Sequence, residues 1–193
     1  MSDNANPAGA GTEFRFKCSC CDEMHIGLPA LGQKFPPAFL DVPEAFRDQY
    51  TRKSDDLCRI EAYPGSGITS AYYFIRGTFD IPIQGFDDTL SLGLWYSQSE
   101  ESFAEYVENF DEDQSDRVSF GWAQPDSAEF KEVDHEGYLV ATPCDVYWNM
   151  AGQRPYGIAH ENAETKIARY QRDGICPREV EALITSILHP GQQ

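Results

Sequence analysis

The chain has 193 residues, of which 41% are hydrophobic and 13% aromatic, enough apolar side chains for the core of one sizeable globular domain. Its formal net charge of −17 at pH 7 disfavours nucleic acid as a partner, because the phosphates would be repelled. No run approaches the ~18 apolar residues that a membrane-spanning helix requires, so we expect no membrane partner either.

The first residues predict a disordered tail, residues 1–13. No apolar side chain larger than Met1 occurs there to offset the entropy lost on ordering. No apolar signal segment precedes the cysteines, so we expect a cytoplasmic protein whose thiols stay reduced.

A cysteine-rich segment follows directly. Cys18 and Cys21 have the Cys-x-x-Cys spacing that lets a tight turn direct two thiolates at one metal ion, and His25 follows within reach of the same point. A tetrahedral structural site needs a fourth ligand, and Cys58, at the start of the first clear strand, could supply it. We therefore predict a structural Zn²⁺ site, an N-terminal zinc knuckle, held by Cys18, Cys21, His25 and Cys58.

Other interpretations of these cysteines remain. Cys20 lies inside the knuckle and could replace a neighbouring ligand or be a spare thiol. The six cysteines could instead form disulfides, or be small buried apolar residues. If Cys58 points elsewhere, three ligands leave a position open for water, with Glu23 as a nearby base, as in a zinc-dependent hydrolase. We favour a structural site, because ligands this close together in sequence usually make one.

From residue 58 to residue 97 the pattern alternates with period two and is rich in β-forming residues. Segments 58–62, 72–83 and 89–96 are predicted as strands, and the short turns between them favour antiparallel neighbours. In the third strand, one face carries Leu90, Leu92, Leu94 and Tyr96.

The second half of the chain adds helices and further strands. A helix beginning at Ser99 has one apolar stripe formed by Phe103, Tyr106, Val107 and Phe110. Strands are predicted at residues 118–122, 137–142, 146–150 and 156–159, and a helix at 161–172. The last helix begins at Cys176 and carries a predicted buried stripe of Val180, Leu183, Ile184, Ile187 and Leu188. His189, at its end, is interpreted as a residue that favours the negative helix terminus.

These elements predict one zinc-stabilised α+β domain, residues 14–190, in which helices cover an antiparallel β-sheet. No internal repeat and no linker separates a second domain.

The acidity is concentrated in one part of the chain. Residues 99–136 hold 13 acidic residues against two basic ones, Arg117 and Lys131, a local net charge of −11. We expect this acidic face, residues 100–136, either to stay solvated or to bind a basic protein. The run 111–116 lacks the glycine and the final glutamate of an EF-hand loop, so we interpret it as a solvated acidic turn.

A thiol enzyme is the other catalytic alternative. Cys144 or Cys176 could pair with His135 or His160, but no signature flanks either cysteine. The chain also lacks a phosphate-binding glycine loop, a dinucleotide fingerprint and a Gly-x-Ser-x-Gly elbow.

Several segments together resemble a known bacterial family. They are residues 16–25 with the cysteine cluster, 56–60, 74–77 (Phe-Ile-Arg-Gly), 81–83, 93–95, and Arg154-Pro155 through His160 to 173–175. In this order and spacing, the chain resembles the family catalogued as domain of unknown function 2199 (DUF2199). The resemblance implies a small, cytosolic, single-domain bacterial protein whose paired cysteines and histidine match Cys18, Cys21 and His25. It carries over no activity or catalytic residues. The chain departs from the pattern at Cys20 and after His160.

We therefore expect a non-catalytic, zinc-stabilised protein-binding module of the regulatory or toxin-neutralising type. The alternative is a zinc-dependent hydrolase or a thiol enzyme.

Overall fold

A computed structural model of the chain describes residues 13–18 and 20–189. The predicted disordered tail, residues 1–13, therefore lies outside the described residues except for Glu13, as does residue 190 at the end of the predicted domain.

Strands and helices are interspersed along the described part of the chain. In order they are β1 (Arg15–Lys17), β2 (Met24–Ile26), β3 (Leu31–Gly32), α1 (Pro37–Leu40), α2 (Glu44–Tyr50), β4 (Thr51–Lys53), β5 (Leu57–Ile60), β6 (Tyr72–Pro82), β7 (Thr89–Gln98), α3 (Glu100–Glu108), β8 (Val118–Ala123), β9 (Thr142–Tyr147), β10 (Tyr156–Ala159), α4 (Lys166–Asp173) and α5 (Pro177–Leu188). The mixed α+β class is confirmed, with β-sheet as the dominant part.

The sheet differs from the simple antiparallel sheet that the sequence predicts, because five of its strands close into a barrel. The pairs β6–β7, β7–β8, β8–β9 and β9–β10 are all antiparallel. β10 then pairs in parallel with β6, where Tyr156 lies opposite Thr78. The long chain segment between β6 and β10 makes this parallel pair possible, and closure gives each of the five barrel strands a neighbour on both sides.

The barrel interior is filled by alternate residues of each strand. Leu90, Leu92, Leu94 and Tyr96 of β7 are all buried, which confirms the predicted shared face. The Tyr96 hydroxyl donates a hydrogen bond to the Thr78 carbonyl oxygen across 2.7 Å. A Cβ atom on Gly157 would lie 2.5 Å from the Tyr96 ring, so glycine is what lets β10 close over this side chain.

Three short strands continue the sheet outside the barrel. β5 pairs with β6 and β4 pairs with β5, both antiparallel, while β3 runs parallel to β7. Beside β5, a second apolar cluster is formed by Phe39, Val42, Cys58, Ile60, Phe74 and Trp95. The strands β1 and β2 form a separate two-stranded hairpin.

One pair of predicted strands is replaced by a single strand. Residues 137–142 and 146–150 are predicted as two strands, but the structure has β9 (Thr142–Tyr147) instead. The Asp134 side chain accepts hydrogen bonds from the backbone N–H groups of Glu136 and Tyr138, and Gly137 has a φ of 90°. Residues 134–138 therefore form a turn, and no strand begins at residue 137.

The helices pack on the barrel through short apolar stripes. In α3 the Ser99 side chain caps the first turn by accepting from the Ser102 N–H, and Tyr106 is buried. In α5 Val180, Leu183 and Ile184 are buried. The predicted stripe is shorter than expected, because Ile187 and Leu188 are 42% and 46% exposed. Among the helices described, none is both long and apolar enough to cross a lipid bilayer.

Candidate metal centre

The β1–β2 hairpin positions three of the predicted ligands. Phe16 lies opposite His25 in the hairpin register and is buried, while its neighbours Arg15 and Lys17 are exposed. Phe16 and Phe14 join the main core, where Phe14 contacts Phe86 with a ring separation of 5.1 Å. The hairpin is therefore held on the barrel by aromatic packing along one face.

The turn between these strands brings the two cysteines together. The Cys18 N–H donates to the Glu23 carbonyl at 2.8 Å, and the Asp22 N–H donates to the Cys18 carbonyl at 3.2 Å. Asp22 has a φ of 61°, a left-handed conformation that aspartate tolerates better than most residues. This tight turn directs both thiol groups to the same side.

Four side chains converge beyond this turn: Cys18, Cys21, His25 and His189. Their ligand atoms all lie within 4.8 Å of one another. Cys18 is buried and the other three are half-buried, so the cluster is largely shielded from solvent. Two sulfur and two nitrogen donors form the Cys₂His₂ set typical of structural zinc sites.

The spacing fits a tetrahedral ion. Zinc–sulfur and zinc–nitrogen bonds of ~2.3 and ~2.05 Å at tetrahedral angles place a sulfur and a nitrogen about 3.6 Å apart. The Cys21 Sγ and His25 Nε2 atoms are 3.5 Å apart. This pair already has the separation expected of two zinc ligands, and the other ligand atoms lie within 4.8 Å of it.

The pKa values of the two thiols in the cluster are shifted in opposite directions. The backbone N–H groups of Cys20 and Cys21, with a smaller effect of His25, lower the pKa of Cys18 to about 5. For Cys21 the backbone N–H of Glu23 lowers the pKa, but burial and the neighbouring Cys18 thiolate outweigh it, so the pKa is raised. Two adjacent thiolates repel each other, and a bound cation would remove this repulsion.

His189 supplies the fourth donor from the other end of the described chain. It follows α5 directly, and the buried residues of that helix fix its position on the core. Its ring lies 5.7 Å from the His25 ring, in an edge-on arrangement. The Nε2 atom of His189 is buried and makes no hydrogen bond to any described residue, which leaves a donor nitrogen free for an ion.

Cys58, the predicted fourth ligand, lies elsewhere. It is on β5 opposite Phe74 and is 1% exposed, inside the second apolar cluster. Burial raises the pKa of its thiol to about 12. The structure thus places Cys58 as a small buried apolar residue, and His189 takes the position that the sequence analysis assigned to it.

The residues of the catalytic alternatives are not brought together as a thiol site. Cys144 lies inside the barrel, where burial raises its pKa to about 12, so it is a poor nucleophile. His160 faces Asp145 at 3.1 Å, and His135 lies beside Glu136 and is 89% exposed. Cys176 begins α5 as its N-cap residue. Cys20 is half-buried, and its N–H donates to the Cys18 Sγ.

Sequence reasoning found three members of the cluster and missed His189. The only available signal was a histidine directly after an apolar helix, which a helix-terminus role explains equally well. Nothing local in the sequence shows that this helix ends beside the hairpin.

Comparison with known proteins places the chain in a family. A search of curated proteins and a search of solved structures gave no match. A family model matches residues 17–175, most of the chain. The matched segment contains Cys18, Cys21 and His25 but ends before His189. The resemblance noted from the sequence is confirmed: the chain belongs to the family described as "Uncharacterized protein conserved in bacteria (DUF2199)".

Proposed function

We propose that the chain is a non-catalytic protein-binding module, of the regulatory or toxin-neutralising type, that is stabilised by a structural Zn²⁺ ion. The observation that supports a structural zinc ion is the four-donor cluster of Cys18, Cys21, His25 and His189. Four protein donors fill a tetrahedral shell, so no position is left for the water that a catalytic zinc ion activates. This favours a structural role over the hydrolase alternative.

The position of the cluster also supports a structural role. In the described part of the chain, β1 and β2 have three residues each and pair only with each other, so the hairpin depends on the packing of Phe14 and Phe16 and on any further link to the core. An ion bound by the hairpin and by the residue after α5 would join the two ends of the described chain. The free energy of binding such an ion is also free energy of folding.

Zinc fits the donors better than magnesium or calcium does. Those two ions prefer oxygen ligands, whereas thiolate and imidazole ligands suit zinc, and the four ligand atoms lie within 4.8 Å of one another, as around a single ion.

The other part of the proposal is that the acidic face, residues 100–136, binds a basic protein. Within it, residues 100–117 hold eight acidic residues and one basic residue, Arg117, which pairs with Glu105 at 2.6 Å. The exposed acids on α3 and the loop after it are Glu100, Glu101, Glu108, Asp111, Glu112, Asp113 and Asp116. Apolar side chains are exposed beside them, since Val107 is 41% and Val118 52% exposed.

The rest of the acidic face, residues 126–136, is used differently. Phe130 is buried in the main core, and Glu132 binds Arg169 at 3.3 Å as well as the Lys166 N–H. The negative charge of residues 126–136 is therefore partly neutralised by contacts within the chain. We assign partner binding to residues 100–117, where acidic side chains remain free to steer a basic surface.

The zinc half is tested by elemental analysis of protein purified without added metal and by the absorption spectrum after cobalt substitution. We expect one equivalent of zinc and a tetrahedral spectrum with sulfur-to-cobalt charge transfer. A five-coordinate spectrum that changes when small anions are added would indicate an open position and a catalytic ion.

The partner half is tested by charge reversal. Glu101→Lys, Glu108→Lys and Asp113→Lys are combined in one variant. The matched control has the same change of charge at exposed acids elsewhere: Asp41→Lys, Asp48→Lys and Glu161→Lys. We expect a partner identified from a bacterial lysate to bind the wild type and the control with salt-sensitive affinity, and to be lost by the first variant. Equal binding by both variants would contradict the proposal.

A further inference from the structure

A cleft of about 520 Å³ lies on the outer surface of the barrel, and none of its lining residues belongs to the metal centre or to the acidic face. Along β6, the buried residues Gly77 and Phe79 alternate with Arg76 and Thr78, which face outward. The opposite wall is the segment 28–32, whose last two residues form β3. The cleft is thus built on regular strands, which hold side chains more precisely than loops do.

Among the residues that the structure describes, the polar lining of this cleft is cationic or neutral. It contains Arg76 and Arg154 and the hydroxyl groups of Thr78, Thr89 and Ser91, and none of the described lining residues is a carboxylate. For a chain with a net charge of −17, two guanidinium groups without an acid in the same lining are unexpected. Within the described part of the chain, these three hydroxyls make no hydrogen bond.

The two arginines are also incompletely paired. Arg154 Nε donates to Asp56 Oδ1 at 2.6 Å. Arg76 has no ion pair with any described residue, and its Nε is buried without a hydrogen-bond partner. Its Nη1 only approaches the Asp55 carbonyl oxygen, at 3.5 Å. Arg76, Arg154 and Asp56 together therefore leave one positive charge uncompensated, and an unpaired, partly buried cation is unfavourable.

Backbone contacts and glycines set the position of both guanidinium groups. The Thr78 N–H donates to the Pro155 carbonyl at 2.9 Å, which places Arg154 next to β6. A Cβ atom on Gly32 would lie only 2.7 Å from Arg76 Nη2, and one on Gly93 3.5 Å. The missing side chains at β3 and β7 leave the space that the Arg76 guanidinium occupies.

We propose that this cleft binds a small molecule through an oxyanion group, a carboxylate or a phosphate. Guanidinium groups bind both groups with paired hydrogen bonds, and the anion would balance the uncompensated charge. Thr78, Thr89 and Ser91 would donate further hydrogen bonds. The cleft is much larger than one oxyanion and lies in the usual range for small-molecule sites, so the apolar wall at Leu28 to Leu31 would contact the body of the ligand.

The test is isothermal titration calorimetry of the metal-loaded full chain with two probes, inorganic phosphate and succinate, against sodium chloride at equal ionic strength. We expect saturable binding of at least one probe. Arg154→Gln should weaken it at least tenfold, and Gly32→Ala should also weaken it, because it keeps both charges but displaces the Arg76 guanidinium. The probe that binds more tightly identifies the chemical class.

Arg172→Gln is the matched control, since this exposed arginine lies outside both the cleft and the acidic face and pairs with Asp173. It should bind the probes as the wild type does. Arg154 is 46% exposed, so its replacement leaves the fold intact, and thermal unfolding of each variant checks this. Failure of both probes to saturate, or equal affinities for Arg154→Gln and Arg172→Gln, would overturn the proposal.

Discussion

Replacement of His189 by alanine tests whether the fourth ligand comes from the end of α5. Structural zinc sites bind with ~10–16 kcal/mol at pH 7, so one of four comparable ligands is worth roughly 3 kcal/mol. This corresponds to a dissociation constant about a hundredfold larger. A chain ending at Leu188, which lacks the same imidazole, should show a similar loss.

Cys58→Ser is the matched control, because it removes the ligand that the sequence suggested. Cys58 is buried among apolar side chains and outside the cluster, so zinc affinity should stay at the wild-type value. The fold should lose about 1–3 kcal/mol, because the serine hydroxyl would be buried without a partner.

The assay is competition for zinc with a chromophoric chelator, combined with urea unfolding of both variants. Zinc affinity that is unchanged in His189→Ala would refute the assignment of the fourth ligand. A hundredfold loss in Cys58→Ser would restore the ligand set expected from sequence.

Three further outcomes follow from the structure. Removal of the metal by a chelator should raise the rate of amide hydrogen exchange in the β1–β2 hairpin at least tenfold and leave the barrel protected, because so short a hairpin has few contacts of its own. Hydrogen exchange followed by mass spectrometry measures this, and equal exchange rates with and without metal would contradict it. Ile184→Ala should cost ~2–5 kcal/mol in urea unfolding, whereas Ile187→Ala, at a site 42% exposed, should cost under ~1 kcal/mol; equal costs would contradict the observed end of the buried stripe. Burial raises the pKa values of Cys58 and Cys144 to about 12, so at pH 8 about one thiol in 10,000 is ionised. Iodoacetamide should therefore label both cysteines only after unfolding. Rapid labelling of either cysteine in the native protein would contradict this, because it would show that the thiol is accessible.

The parts of the structure that sequence could predict are local ones. Cys18, Cys21 and His25 are close in sequence, and a tight turn is enough to bring them together. The buried face of β7 follows from period-two alternation, which depends only on strand geometry. Such features need no knowledge of how distant segments meet.

The parts that sequence could not predict depend on long-range packing. Barrel closure rests on the parallel pair of β10 with β6, and neither strand carries a signal for its partner. The same closure brings Arg154 beside Arg76, two residues that the sequence analysis noted only within a family resemblance. His189 reaches the hairpin because of how α5 packs on the core, whereas the sequence shows only that Cys58 is the next cysteine along the chain and begins a predicted strand.

The most direct test of the metal centre is X-ray absorption spectroscopy at the zinc edge on protein purified without added metal. The structure predicts two sulfur donors at ~2.3 Å and two imidazole nitrogens at ~2.0–2.1 Å. His189→Ala should lose one of the two imidazole contributions. A wild-type shell with three sulfur donors, or with an oxygen donor in place of the second imidazole, would contradict a zinc ion shared by the hairpin and the end of α5.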